Sequence, residues 1–167
     1  LWASFILDAN EKNFELFPSE EIKKTVNSEI IQSILSMKRG EFFPDHIKNK
    51  LRLYSEQVRS ILENTDVTVT LKEGVSLTKP SVIAQMISLL NVKPDSEILD
   101  LGSGLGFHAG VLSKLAYNGC IYGIEIDKEA AEMSIGNLNR AGINNVKIYY
   151  GDGSQGLKDE QGNIKLY

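Results

Sequence analysis

The apolar positions of this 167-residue chain fall into two regimes. Over residues 1–65 their spacing is mostly helical. Ile30, Ile31, Ile34, Leu35 and Met37 recur at three- and four-residue intervals, which gathers them on one helix face, and Asn27 and Ser28 are residue types that cap such a helix at its start. Arg39-Gly40 ends it, and Phe42-Phe43-Pro44 forms an apolar plug, so Phe42 and Phe43 are expected in the core. A polar stretch that reads as helix continues to Leu62. Over 66–71 the pattern becomes alternating, with Val67, Val69 and Leu71 separated by polar partners, the signature of a half-buried strand.

From Lys72 onward helices and strands alternate. Pro80 suits a first helical turn, where its missing N–H would have no partner, and Val82, Ile83, Met86, Ile87, Leu89 and Leu90 form the apolar stripe of that helix. Val92-Lys93-Pro94-Asp95 turns the chain. Strands are then expected over 97–101, 120–126 and 146–150, with helices over 106–117 and 128–141 between them. Short strands separated by helices imply a mainly parallel, doubly wound α/β sheet with right-handed crossovers. The chain accordingly divides into an N-terminal helical region, 1–71, and an α/β core, 72–167. It opens on Leu1 rather than Met, and a new apolar run begins at Ile164. Both features suggest a fragment of a longer protein, whose sheet then lacks its C-terminal strands.

Composition narrows the chemistry. No apolar run is long enough to span a bilayer, and the opening Leu-Trp-Ala-Ser-Phe-Ile-Leu lacks the basic flank and cleavage site of a signal peptide. The single cysteine, Cys120, leaves no internal disulfide and fits a reducing, cytoplasmic setting; it is expected to pack as a small apolar residue. With only His46 and His108 beside it, no protein-only zinc site is expected, and so no metal. A net charge of −4 without a basic run argues against nucleic acid as a partner. Nothing in the pattern indicates a membrane partner or an oligomeric state.

The candidate chemistry lies at the ends of the expected strands. Asp100-Leu101-Gly102-Ser103-Gly104-Leu105-Gly106 runs from a strand into a helix, where sheets of this kind bind ligands. Glycines there let the backbone bend and approach a ligand, and the helix start offers free N–H groups. The dinucleotide fingerprint is G-x-G-x-x-G. Here the third glycine comes one residue early, at Gly106, and Phe107 occupies the fingerprint position, which disfavours a nicotinamide cofactor. The arrangement resembles the first motif of Rossmann-type methyltransferases. The resemblance implies that S-adenosylmethionine lies against Gly102, Ser103, Gly104 and Gly106, with Asp100 near its amino group. Glu125 ends the second strand about twenty residues on, where a carboxylate can accept both ribose hydroxyls, with Ile126 beside it. The third strand ends in Gly151-Asp152-Gly153, where methyltransferases of this type place an acid or amide near the adenine amino group. An acid at one strand tip is ordinarily just solvated. Acids at three successive tips flanking a glycine loop are hard to explain by solvation.

Over roughly residues 25–157 the sequence resembles the protein-L-isoaspartate O-methyltransferase family. Val26-Asn27-Ser28-Glu29-Ile30 through Arg39-Gly40-Glu41-Phe42-Phe43-Pro44 is similar to the family's amino-terminal helix and its R-x-x-F-x-P turn. Ser76-Leu77-Thr78-Lys79-Pro80 resembles its Ser-x-Pro stretch, and Gly151-Asp152-Gly153-Ser154-Gln155-Gly156 its G-D-G-x-x-G. The family usually has serine where Thr78 stands and a neutral residue at Lys79, and the stretch from Pro44 to Thr78 is longer than usual.

The resemblance implies methyl transfer to the isoaspartyl carboxylate of a damaged protein or peptide. A side-chain carboxyl group ordinarily titrates at about pH 4, so such an acceptor is already ionised at neutral pH and no strong base is required. Thr78 is the candidate catalytic residue: its hydroxyl can donate to one carboxylate oxygen and leave the other free to attack. Alternatively Thr78 satisfies free N–H groups of the following helix. Lys79 either attracts an anionic substrate or is simply solvated, and His108 either touches the ligand or packs on its helix. Three other functions compete. A related methyltransferase could act on an aspartate of a modified peptide or on a corrin ring, whose enzymes share a Thr-Lys at this helix, although the stretch from Arg39 to Pro44 argues against the latter. A non-catalytic S-adenosylmethionine-binding module is opposed by the intact Gly102, Gly104, Glu125 and Asp152 set, and a nicotinamide oxidoreductase by Phe107.

Overall fold

A computed structural model describes residues 26–45, 48–49, 66, 68–72 and 75–157. The expected helical stretches before residue 26, most of the one from 44 to 62, Val67 and the final apolar run lie outside the described residues. Helix α1 spans Ser28–Ser36, a 3-10 turn covers Arg39–Phe42, and strands β1 (Val69–Lys72) and β2 (Val75–Leu77) precede α2 (Pro80–Leu90). Then come β3 (Glu97–Leu101), α3 (Phe107–Leu115), β4 (Cys120–Glu125), α4 (Lys128–Arg140), β5 (Val146–Tyr150) and a 3-10 turn at Gly153–Gln155.

Strands β3, β4 and β5 form a parallel sheet in that order. Both crossovers step in the same direction, so right-handed connections carry α3 and α4 over one face. Register aligns Ile98, Ile121 and Val146 in one row and Asp100, Gly123 and Ile148 in a parallel row. Ile98, Val146 and Ile148 pack on a core built from Ile121, from Val111 and Leu112 of α3, and from Ala130 and Leu138 of α4. The alternate positions of the strands face the other way. There Lys147 Nζ sits 5.7 Å from the Tyr122 ring centroid, while Leu101 and Tyr149 are exposed.

The N-terminal helix joins the same core. Asn27 caps α1 by accepting from Glu29 N at 2.8 Å, and α1 packs on α2 and α3 through Ile30, Ile34 and Met37. Phe42 and Phe43 are fully buried, and Phe42 meets Phe107 edge to face at 5.3 Å. Two expectations need correction. The strand expected over 66–71 is Val69–Lys72, and it pairs antiparallel with β2, a strand too short to show in the periodicity. The buried face of α2 is Pro80, Ser81, Ile83, Ala84 and Ile87, whereas Met86, Leu89 and Leu90 are exposed. The apolar stripe is wider than the one side of α2 that its neighbours cover. Among the described residues no helix is long and apolar enough to cross a membrane.

One buried amide joins three parts of the fold. Asn137 on α4 donates from Nδ2 to Phe42 O at 3.3 Å and to Leu105 O at 3.0 Å, while Arg140 donates to its Oδ1. It thereby ties the 3-10 turn and the loop after β3 to one helix. Asn137→Ala leaves two buried carbonyls unpaired and is expected to cost about 1–3 kcal/mol in equilibrium denaturation. A change within about 0.5 kcal/mol, the range of surface substitutions, would remove it from this role.

Candidate functional site

The loop after β3 is shaped by backbone bonds to its neighbour strand. Gly102 N and Ser103 N both donate to Ile124 O, at 2.8 and 3.2 Å, and Gly106 N closes the turn on Ser103 O at 2.9 Å. Two of its glycines serve different ends although both are left-handed. A Cβ on Gly106, at φ 85°, would come 2.4 Å from Ser134 Oγ and 3.2 Å from Leu138, so this glycine lets the loop lie against α4. A Cβ on Gly102, at φ 72°, would meet nothing within 4 Å. Gly102 opens on free space, as a loop that approaches a ligand requires. Gly106 also starts α3 without a capping side chain, which leaves first-turn N–H groups to another partner.

Glu125 fastens this loop to the tip of β4. Gly104 N donates to Oε2 at 2.7 Å and Asp127 N to Oε1 at 2.8 Å, and the residue is buried. Each oxygen keeps a second lone pair. Gly151 N donates to Glu125 O at 2.9 Å, which brings the end of β5 alongside. Asp152 follows, exposed, and caps the 3-10 turn by accepting from Ser154 N at 2.9 Å. Bonds from Ser154 hold its carboxyl below the usual range, so it is ionised at neutral pH. Gly153 lies against Leu101 and Ile124, and Ile126 is exposed beside Glu125.

A cleft of about 180 Å³ opens between this loop and the segment that joins β2 to α2. Asp100, Gly102, Ser103 and Gly104 line one side, while Ser76, Leu77, Thr78, Ile83 and Met86 line the other. Glu125, Ile126, Asp152 and Gly153 stand along the strand tips beside the cleft. His108 also lines it, with Nδ1 3.0 Å from Asp100 Oδ1. With the ring proton on Nδ1, the imidazole donates this bond to the carboxylate. Asp100 Oδ2 and His108 Nε2 are buried and have no hydrogen-bond partner among the described residues. Among those residues no three His, Cys, Asp or Glu side chains group as a metal site.

The wall opposite the loop is held from afar. Arg39, 4% exposed, donates from Nη2 to Leu77 O at 3.1 Å and Thr78 O at 3.3 Å. Burial lowers its guanidinium to about 10, and the negative charge of Asp66 counters that shift, so it stays charged at neutral pH. Asp66 Oδ1 accepts from Ser81 N at 2.7 Å, while Lys79, at the start of α2, forms no side-chain cap. The amide need that Thr78 was weighed against is therefore met by Asp66, and Thr78 is exposed at the cleft. Lys79 Nζ lies 4.0 Å from Asp66 Oδ2, so it is not simply solvated. Sequence reasoning missed Ser76, Met86, Asp66 and the reach of Arg39. Only the last left a trace, as a charged residue set just before two core phenylalanines.

Residues 11–162 match the family model described as Protein-L-isoaspartate(D-aspartate) O-methyltransferase. Curated relatives carry the same name. One from Archaeoglobus fulgidus is 27% identical over 164 residues, 96% of this chain and 68% of its own length. One from Methanocella arvoryzae is 35% identical over 95 residues, 56% of this chain and 50% of its own length. The chain thus spans between half and about two-thirds of such relatives. A solved protein-L-isoaspartate O-methyltransferase superposes with a TM-score of 0.67 at 24% identity, covering 81% of this chain and 41% of that one. A putative one from Plasmodium falciparum, in complex with S-adenosyl-L-homocysteine, gives 0.61 at 22%, covering 85% and 63%. The fold shared with these is the Rossmann-like methyltransferase fold.

The two glycines separate packing from ligand approach. Gly106→Ala combines a left-handed penalty with overpacking and should cost about 2–4 kcal/mol of unfolding free energy. Gly102→Ala should cost only about 1–2 kcal/mol. Equal losses in denaturant titrations would contradict this division.

Proposed function

This chain belongs to the protein-L-isoaspartate(D-aspartate) O-methyltransferase family, and from that premise we propose that its protein methylates L-isoaspartyl carboxylates of damaged proteins or peptides, using S-adenosylmethionine. The observation that carries the reading is the Glu125 carboxylate, bound to Gly104 N and Asp127 N beside the open Gly102. A typical small-molecule pocket runs from about 300 Å³ upward, so a cleft of about 180 Å³ suits the methionyl part, and the residues at the strand tips would hold the adenosine. The residues present fit that division. The backbone of Gly102 and Gly104 would hold the methionyl part, in a loop shaped by Ser103 and Gly106, and the unpartnered Asp100 Oδ2 would take its ammonium. The second lone pairs of Glu125 would accept the ribose hydroxyls. Ile126 and Gly153 would flank the adenine, with the ionised Asp152 accepting from its amino group.

When bound, the cofactor supplies an electrophilic methyl group on a sulfonium. What remains for the chain is to hold an already ionised acceptor and keep water away. Thr78 donates its hydroxyl to one carboxylate oxygen and so orients the other. Leu77, Ile83 and Met86 supply the apolar wall that limits water. The lone Cys120 and the mild negative charge suit a cytoplasmic protein that meets polypeptide rather than nucleic acid or membrane.

Calorimetry tests the cofactor. S-adenosylhomocysteine should bind and NADH should not; the reverse would end this reading. Glu125→Ala removes charge-assisted bonds and should weaken S-adenosylhomocysteine roughly 10- to 100-fold. With matched isoaspartyl and aspartyl peptides, methyl transfer is expected to the first alone. Thr78→Ala should slow that transfer roughly 10- to 100-fold while leaving cofactor affinity intact. Full turnover in the variant would return Thr78 to a structural role.

A further inference from the structure

We propose that Arg39 is a positioning residue for the methyl acceptor: with Asp66 it clamps the backbone of residues 77–81 and so aims the Thr78 hydroxyl into the cleft. The inference rests on the methyl-transfer reading above. Its geometry is independent of that reading.

The clamp has two jaws. Arg39 Nη2 grips the carbonyls of Leu77 and Thr78, and Asp66 Oδ1 grips the amide of Ser81. Successive carbonyls of a regular strand point to opposite sides. One nitrogen can bond both only where the chain has left the strand, so these bonds fix the direction in which it departs after β2. Thr78 sits between the jaws, and its side chain is left to the cleft. Both jaws come from distant segments and both side chains are buried: Arg39 is 4% exposed and the Asp66 side chain 6%.

Packing alone does not account for Arg39. A charged group is costly to bury, and an apolar residue of similar volume commonly serves a core as well or better. What such a residue cannot do is donate to two carbonyls from a rigid planar fork. Lys79 belongs to the same system: its ammonium lies near Asp66 Oδ2, on the side of that carboxylate not used by Ser81 N.

The test is a set of variants in the full-length protein: Arg39→Met, Arg39→Lys, Thr78→Ala and each Arg39 variant combined with Thr78→Ala. Arg39→Met should lower kcat on an isoaspartyl peptide on the order of 10- to 100-fold, the cost of a small misplacement near the reacting groups. Affinity for S-adenosylhomocysteine should not change. Arg39→Lys should recover part of the rate, because an ammonium donates but cannot hold both carbonyls in a fixed fork. In the double variants the Arg39 change should add nothing to the loss from Thr78→Ala, since both act through one hydroxyl. Additive losses, wild-type kcat in Arg39→Met, or an equal fall in cofactor affinity would overturn the clamp. Should Arg39→Met fail to fold, Arg39→Lys and its double variant decide. The Thr78 methyl resonance gives a readout without turnover: it should move in Arg39→Lys while that of Ile121, deep in the sheet core, stays. A Thr78 signal that does not move refutes the clamp. Absence of wild-type methyl transfer refutes the underlying reading instead.

Discussion

The site depends on a carboxylate that faces inward. Glu125 ends the central strand of the sheet and commits one lone pair of each oxygen to the protein itself, to Gly104 N and Asp127 N. Those two bonds join the glycine loop, the tip of β4 and the start of α4, where Asp127 in turn accepts from Ala130 N. A loop held this way is shaped before any ligand arrives, and little binding energy is lost to ordering it. One lone pair of each oxygen is left over. In the proposed reading structure and recognition share one group, because a carboxylate can accept more bonds than the fold uses.

Across the cleft the wall is built on the opposite principle. The loop is held by its neighbours β4 and α4 within the α/β core, whereas the segment after β2 is held by Arg39 and Asp66, which reach it from outside that core. Asn137 links the two systems: it binds Leu105 O on the loop side and Phe42 O in the turn that carries Arg39. The edge-to-face pair of Phe42 with Phe107, the first residue of α3, adds an apolar contact across the same junction.

This contrast explains what could be read along the chain. Strands β3 and β5 fall on the expected residues, and β4, α3 and α4 differ only at their ends, because each is a local pattern of apolar period and turn residues. The glycine loop and the acids at the strand tips were visible for the same reason. The pairing of β1 with β2 was not: β2 has three residues, too few for alternation to register. The width of the α2 stripe was over-read because periodicity reports which residues are apolar, not which side has a neighbour. The role set aside for Thr78 at the helix start fell to Asp66, fifteen positions away from the amide it caps, and no spacing rule connects them. The bond of His108 to Asp100 across the loop has no periodic signature either.

The hydrogen bonds that Arg39 and Asp66 make to the wall opposite the loop share one property: on the wall itself they use only backbone atoms, Leu77 O, Thr78 O and Ser81 N. Leu77 adds a buried side chain to this anchoring, and none of these bonds uses the side chains of Ser76 or Thr78. This accounts for the departures from the family pattern found there. A threonine in place of the usual serine keeps the hydroxyl, at an exposed position that lines the cleft. A lysine in place of a neutral residue finds a carboxylate already present, at 4.0 Å. The path is anchored by Arg39 and Asp66, outside the segment, through backbone atoms, so the exchange at Thr78 leaves those bonds in place.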